Sequence, residues 1–351
     1  MNTERFQSLR VTEVHRTTAD SVVLSLDAPD SFRAFRPGQY LTLRATIEGQ
    51  DTRRSYSICS GPDEDALRVG IKHLPGGLFS TWANTMLRPG DTVLAMRPEG
   101  RFGVPAEPGR ARVIAAFAAG SGITPILSIM KDVLTREPAS RFFLFSGNRS
   151  TASIMFRDEI EDLKDRYLSR LSVFHVLSRE HQELDILNGH LDAAKIPALL
   201  RLMPVPDHCL VCGPQAMIEG LEQALSAAGL PPDRIHTERF TPSTNGVRPP
   251  VAVAPDTPPA AIATLILDGV RIDVPMAAGE TIVEAASRAG RDPPFSCKAG
   301  MCCTCRARLT EGRVEMEANY SLEPWETEAG YVLTCQARAL TPRVTVDFDQ
   351  V

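Results

Sequence analysis

Four of the chain's eight cysteines sit in nine residues, CKAGMCCTC at 297–305, and a fifth, Cys335, follows after 29 more. If they share a ligand, the fold must gather this loop and the distant Cys335 at one place. In a reducing compartment, clustered cysteines are more often metal ligands or catalysts than disulfides. Structural zinc sites usually pair two CxxC knuckles, or one CxxC with histidines. Here one CxxC (Cys302, Cys305) is flanked by lone cysteines, and no histidine follows His236.

The spacing C-x4-C-x2-C…C through Cys297, Cys302, Cys305 and Cys335 is that of [2Fe–2S] proteins, whose irons favour soft thiolates. Zinc and a metal-free loop are the competing readings. Ala299 and Gly300 allow close backbone approach, so that N–H groups can hydrogen-bond the cluster's sulfurs. Cys303 fits no slot in the spacing and reads as a small buried residue. Upstream, ATLILDGVRIDVPM reads as a β-hairpin around Asp268-Gly269, and GETIVEAASRAG as a helix with Ile282, Ala285 and Ala286 apolar. With GYVLTC before the last cysteine, residues 262–351 resemble a plant-type ferredoxin domain. That resemblance implies an α+β, β-grasp-like fold.

A chain of 351 residues suggests two or three domains. From 1 to 106, short alternating runs (SVVLSL, QYLTLRA, LRVGIK) broken by glycine and proline turns predict an antiparallel β-barrel. From 107 to 240, apolar strands (RVIAAFA, RFFLFSG, RLSVFHVLS, HCLVCG) alternate with helical stretches, the pattern of an α/β doubly wound parallel sheet. Residues 241–261 hold six prolines and no amphipathic period, which reads as a linker. The fold class is therefore multidomain. A formal net charge of −5 gives no general attraction to nucleic acid or anionic membrane. No apolar run approaches the roughly 18 residues needed to span a bilayer. MNTERFQSLRVTEVHRT lacks the apolar core of a signal peptide, so a cytoplasmic location is expected.

Several short motifs in the front half suit anionic, planar ligands. In RRSYSICS, alternation puts Arg54 and Tyr56 on one strand face, where a cation and a ring could meet a phosphate and a flat ring system. In IKHLPGGLFSTW, Gly76 and Gly77 permit close approach before a helix expected to start at Ser80-Thr81, a pyrophosphate geometry. GSGITP (120–125) follows a strand and precedes a helix expected at Pro125, the context of a dinucleotide loop without the GxGxxG fingerprint. In SGNRSTASIMFR, Asn148, Arg149, Ser150 and Ser153 lie beyond a strand's carboxyl end. A guanidinium and hydroxyls there suit a 2′-phosphate. Each motif also has a plain reading as exposed strand, ordinary turn or solvated loop.

The order R-x-Y-S, GGLFS, GSGITP, CGP resembles the ferredoxin–NADP reductase superfamily over residues 1–240. The resemblance implies a flavin held by Arg54, Tyr56 and Ser57, with Gly77, Phe79 and Ser80 near its phosphates. It implies a nicotinamide nucleotide held by Gly120, Gly122, Thr124 and Cys212, with Arg149 and Ser150 at a 2′-phosphate. Ile71, Lys72, Gly213 and Pro214 complete the implied cofactor-contacting set. Ser57, Cys212 and Glu238 would surround the hydride-transfer point, and Phe240 would cover the ring. PGGLFSTW looks like the FAD-binding branch. NADPH is expected as donor, with NADH as the alternative.

GNRSTASIMFRDE, HTERF and the stretch from EMEANYSLEPW to the end resemble the reductase subunits of bacterial phenylacetyl-CoA epoxidases. That family implies FAD, a [2Fe–2S] cluster and a di-iron oxygenase as electron acceptor. Reductases of Rieske-type oxygenases and of hybrid-cluster proteins share the architecture, and a redox-sensing or electron-carrier module is the non-enzymatic alternative. Residues 311–328 carry six glutamates against one arginine. They form either a solvated face or an acidic docking surface for the oxygenase.

Overall fold

A computed structural model describes residues 5–240 and 258–350. They belong to two compact units that part after Phe240, and each is described by itself. The proline-rich segment expected as linker lies, for 241–257, outside the described residues. Its expected end at 261 is corrected, because Ala261 already belongs to a strand.

In the first unit, β1 (Gln7–Thr18), β2 (Ser21–Asp27), β3 (Tyr40–Ile47), β4 (Gln50–Ser57), β5 (Leu67–Lys72) and β6 (Thr92–Ala95) form an antiparallel sheet ordered β4-β3-β6-β1-β2-β5. An Ile58–Val69 bridge joins its two ends, so the sheet closes as a barrel. Helices α1 (Asp30–Arg33) and α2 (Leu78–Thr85) cap a core built from Leu24, Phe32, Leu41, Leu43, Ile58 and Phe79. Strand β2 is buried on both faces because Val23 points outward into the core of the following domain. This explains why SVVLSL alternates so weakly.

That domain runs β7 (Val113–Ala119), α3 (Ile123–Arg136), β8 (Arg141–Asn148), α4 (Arg157–Arg166), β9 (Leu171–Leu177), α5 (Ile196–Leu200), β10 (His208–Gly213), α6 (Gln215–Ala227) and β11 (Ile235–Arg239). The strands are parallel and ordered β11-β10-β7-β8-β9. The order reverses between β7 and β10, which opens a crevice at their carboxyl ends. Phe117, Phe145 and Phe174 stack across three strands at 5.1 Å centroid spacing. Barrel and sheet are tied by Arg68, which meets Glu64 and Glu159 at 2.6 Å each. Lys131 joins both carboxylates. Ser128 also donates to the Ser60 carbonyl at 2.7 Å.

The elements of the second unit are β12 (Ala261–Leu267), β13 (Val270–Met276), α7 (Ile282–Arg288), β14 (Arg306–Glu311), β15 (Val314–Met316), α8 (Pro324–Glu328), β16 (Tyr331–Leu333), β17 (Ala337–Ala339) and β18 (Arg343–Asp347). They form a mixed sheet ordered β13-β12-β18-β14-β16 with a separate β15–β17 ribbon. The hairpin turns at Asp268 and Gly269, both at positive φ (54° and 73°), the backbone that Asp-Gly turns favour. Thr281 and Glu284 close a reciprocal capping box on α7, whose Ile282, Ala285 and Ala286 enter the core. Among the described residues, no helix is long and apolar enough to cross a membrane.

Candidate active site and cluster loop

Parallel pairing of β10 with β11 puts Cys212 beside Glu238 in register, at the carboxyl end where the strand order reverses. Cys212 is fully buried, and Glu238 is half-buried with its Oε2 out of reach of water. Burial pushes the Cys212 thiol well up, with Glu238 adding to the effect. Burial likewise raises the Glu238 carboxyl to about 8, and the approaching Ser57 hydroxyl offsets this only in part. Glu238 Oε2 has no hydrogen-bond partner. A buried oxygen left this way is costly unless a ligand or water completes it. Ser57, Cys212 and Glu238, drawn from barrel, sheet and edge strand, thus converge. The residues of HTERF do not by themselves announce a strand, and their pairing with HCLVCG is what brings Glu238 in.

The two glycines of GSGITP serve different needs. Gly120 has φ +55°, a left-handed conformation that costs other residues more. Gly122 has an ordinary backbone, but a Cβ there would lie 2.1 Å from the Cys212 carbonyl oxygen. The helix after them starts at Ile123, through a 3-10 turn, rather than at Pro125. Thr124 is buried, and its hydroxyl donates to the Ser121 carbonyl at 2.9 Å. Gly213 is held by packing as well, since a Cβ there would meet Met217 at 2.6 Å. Pro214 caps α6.

At the barrel, α2 starts at Leu78 with Gly77 as its cap, two residues earlier than expected. Ser80 therefore lies inside the first turn. Its hydroxyl donates to the Gly77 carbonyl at 3.1 Å and accepts from the Leu74 N–H at 3.1 Å. Phe79 and Ile71 are core side chains, so only their backbones can face a cofactor. Tyr56 stands 5.5 Å from the Phe79 ring, which in turn meets Trp82 at 5.4 Å. Burial raises the Tyr56 phenol's pKa. Arg54 is exposed. Phe240, at the unit's end, is 38 % exposed.

Beyond β7, β8 and β10 lies a cleft of about 440 Å³, lined among others by Lys72, Gly120, Arg149, Ser178, Pro214 and Met217. Arg149 lines this cleft but is already engaged there: its guanidinium binds Asp20 of the barrel at 2.6 Å. The Ser150 hydroxyl is occupied in a capping box with Ser153. Ser178, just past β9, lines the same cleft, and Arg179 follows it in the chain. The Ser178 and Arg179 N–H groups donate to the Asn148 and Arg149 carbonyls at 3.0 and 2.7 Å. These two are additions to the expected set, and the sequence does carry a signal for them, a polar pair beyond a strand's carboxyl end.

In the second unit the four expected ligands come together in two pairs. Cys297 interacts with Cys302, and Cys305 with Cys335. Among the described residues, no three potential ligands converge on one metal-ion position. Two thiol pairs fit a two-iron group better than a single zinc. Gly300 has φ +74°, and a Cβ there would lie 2.8 Å from the Ala318 carbonyl oxygen. Ala299 N–H donates to the Cys297 sulfur at 3.4 Å. Gln336, which no motif singles out, braces the loop by donating to the Lys298 carbonyl at 2.9 Å. Cys303 is not the buried bystander expected. It is half-exposed, left-handed at φ +55°, and its thiol donates to the Ser321 carbonyl at 3.4 Å. Behind the loop, Arg306 pairs at 2.8 Å with the fully buried Glu326.

Residues 8–103 match the oxidoreductase FAD-binding domain family, 117–223 the oxidoreductase NAD-binding domain and 265–340 the 2Fe-2S iron-sulfur cluster binding domain. Together these define an oxidoreductase for FAD, a nicotinamide nucleotide and a [2Fe–2S] cluster. The chain is 41 % identical over 351 residues to a component of the 1,2-phenylacetyl-CoA epoxidase of Escherichia coli, covering 98 % of each. It is 33 % identical over 350 residues to the ferredoxin reductase component of 3-ketosteroid-9-alpha-monooxygenase of Rhodococcus rhodochrous, covering 97 % of this chain and 96 % of that protein. The chain belongs to this family of ferredoxin reductase components of oxygenases. Phthalate dioxygenase reductase shares the fold, with TM-score 0.61 and 22 % identity over 98 % of each chain. A bound FAD would supply the change from two-electron hydride chemistry to one-electron chemistry, and a bound [2Fe–2S] cluster would supply a one-electron carrier.

Proposed function

We propose that the chain supplies electrons from NADPH to the oxygenase of a phenylacetyl-CoA epoxidase system. The observation that carries this is the 41 % identity, sustained over 98 % of both chains, to the Escherichia coli epoxidase component. In this reading Arg54, Tyr56, Ser57 and the Gly77 turn hold FAD. Gly120, Gly122 and the Cys212–Pro214 turn receive the nicotinamide nucleotide, and Glu238 keeps a neutral acid at the reacting edge. Arg149, joined by Arg179 one strand over, takes the 2′-phosphate that distinguishes NADPH from NADH. The four cysteines Cys297, Cys302, Cys305 and Cys335 hold the cluster.

The acidic run 311–328 keeps all its glutamates but one at the surface. Glu326 is buried, Glu317 pairs with Arg338 at 2.6 Å, and Glu311 accepts from Thr345 at 2.9 Å. Glu311, Glu315, Glu317, Glu323 and Glu328 all face solvent, and Trp325, 58 % exposed, stands between the last two. A partner patch with an apolar pocket and basic rim would fit it. The test is reconstitution with the purified oxygenase component of the Escherichia coli epoxidase. Phenylacetyl-CoA-dependent NADPH oxidation with epoxide formed is the expected result. Turnover only with a 3-ketosteroid or other Rieske-type oxygenase would refute it.

A further inference from the structure

The β1–β2 turn of the barrel carries Asp20 to the rim of the nucleotide cleft. Its carboxylate binds Arg149 at 2.6 Å and lies 3.7 Å from the Lys72 ammonium. Both cations line the cleft, whereas Asp20 itself does not. Lys72 reaches within 4.0 Å of where a Gly120 Cβ would be, so the pair overhangs the turn that opens the nucleotide domain. Asp20 is fixed from the barrel side. The Thr18 hydroxyl donates to its Oδ1 at 2.8 Å, and the His73 N–H donates to its carbonyl at 2.7 Å. One anchored carboxylate therefore draws two cations toward the rim and cancels one of their charges.

We propose that Asp20 is a positioning residue that acts as an internal competitor for nucleotide phosphate. It holds Lys72 and Arg149 in the free enzyme and releases them when a phosphate arrives. This rests on the reading of Arg149 as a phosphate ligand. The physical reason is electrostatic: a phosphate dianion between two cations gains more than a single carboxylate does, but it must displace that carboxylate first. Removing the carboxylate removes the competition.

The test uses the holoenzyme, with 2′,5′-ADP and 5′-ADP as titrants and NADPH as substrate. Asp20→Asn should tighten 2′,5′-ADP binding about threefold to tenfold, with the gain falling as ionic strength rises. The kinetic change should appear in KM for NADPH rather than in kcat. Arg149→Gln should move binding the opposite way, and Asp20→Glu should restore the wild-type value. A simple latch between barrel and nucleotide domain predicts instead that Asp20→Asn and Arg149→Gln act alike, so the same sign for both overturns the proposal. Unchanged or weaker binding by Asp20→Asn overturns it too. Equal tightening of 2′,5′-ADP and 5′-ADP supports the competitor and rejects only the assignment of Arg149 to the 2′-phosphate.

Discussion

At Glu238 a single half-buried carboxyl sets a measurable pH dependence. Its pKa is near 8 in the folded chain against an ordinary 4.5. Between those values the folded state retains a proton that the unfolded state has lost, so stability falls as pH rises. The contribution is complete below about 4.5 and gone above about 8. Glu238→Gln mimics the neutral acid and should abolish this slope, worth up to about 1.4 kcal/mol per pH unit. Urea unfolding of both proteins at pH 5, 6.5 and 8 checks it. Parallel curves would show that the carboxyl is not desolvated. Cys335→Ser should erase the cluster's visible spectrum and leave reduction of the flavin by NADPH intact, because Cys335 lies in the other unit. A retained cluster spectrum would reject the ligand set.

Turns carry the next layer of organisation. Gly122→Ala places a methyl group onto the Cys212 carbonyl oxygen, at 2.1 Å before any relaxation. The turn must shift, at a cost of about 1–3 kcal/mol. We expect a lower Tm and a KM for NADPH raised at least several-fold, whereas Gly229→Ala, strained at φ +93° but with open space around it, should lower Tm and leave KM unchanged. Equal KM values for both would mean that the close approach of turn and strand does not position the nucleotide. GSGITP is legible as a nucleotide turn, but not which glycine bends and which makes room. That distinction comes from β10, more than eighty residues later in the chain. The helix starts at Leu78 and Ile123 each fall two residues before the expected positions. Their first turns are set by packing of Phe79 into the barrel and Ile123 into the sheet core, not by local caps.

For the whole molecule, a chain ended at Phe240 should bind FAD and reduce ferricyanide with NADPH at close to the full-length rate. It should lose delivery to the oxygenase. Failure of the truncated chain to hold FAD would show that the flavin unit depends on residues beyond 240. The two units have separate cores, which is the physical basis for expecting each to survive alone.

Periodicity alone separated a barrel from an alternating α/β region, because the strand and helix periods depend on local burial. Cysteine spacing alone indicated a [2Fe–2S] site, because ligand geometry limits which loops can wrap a cluster. The tertiary structure decided what lies across domains and strands. It set Glu238 beside Cys212 through a parallel edge strand and gave Arg149 to Asp20 from the barrel. It also buried Glu326 under Arg306, removing one charge from the acidic run. Each is a pairing between residues far apart in sequence, and no local pattern encodes a partner that only the fold brings near.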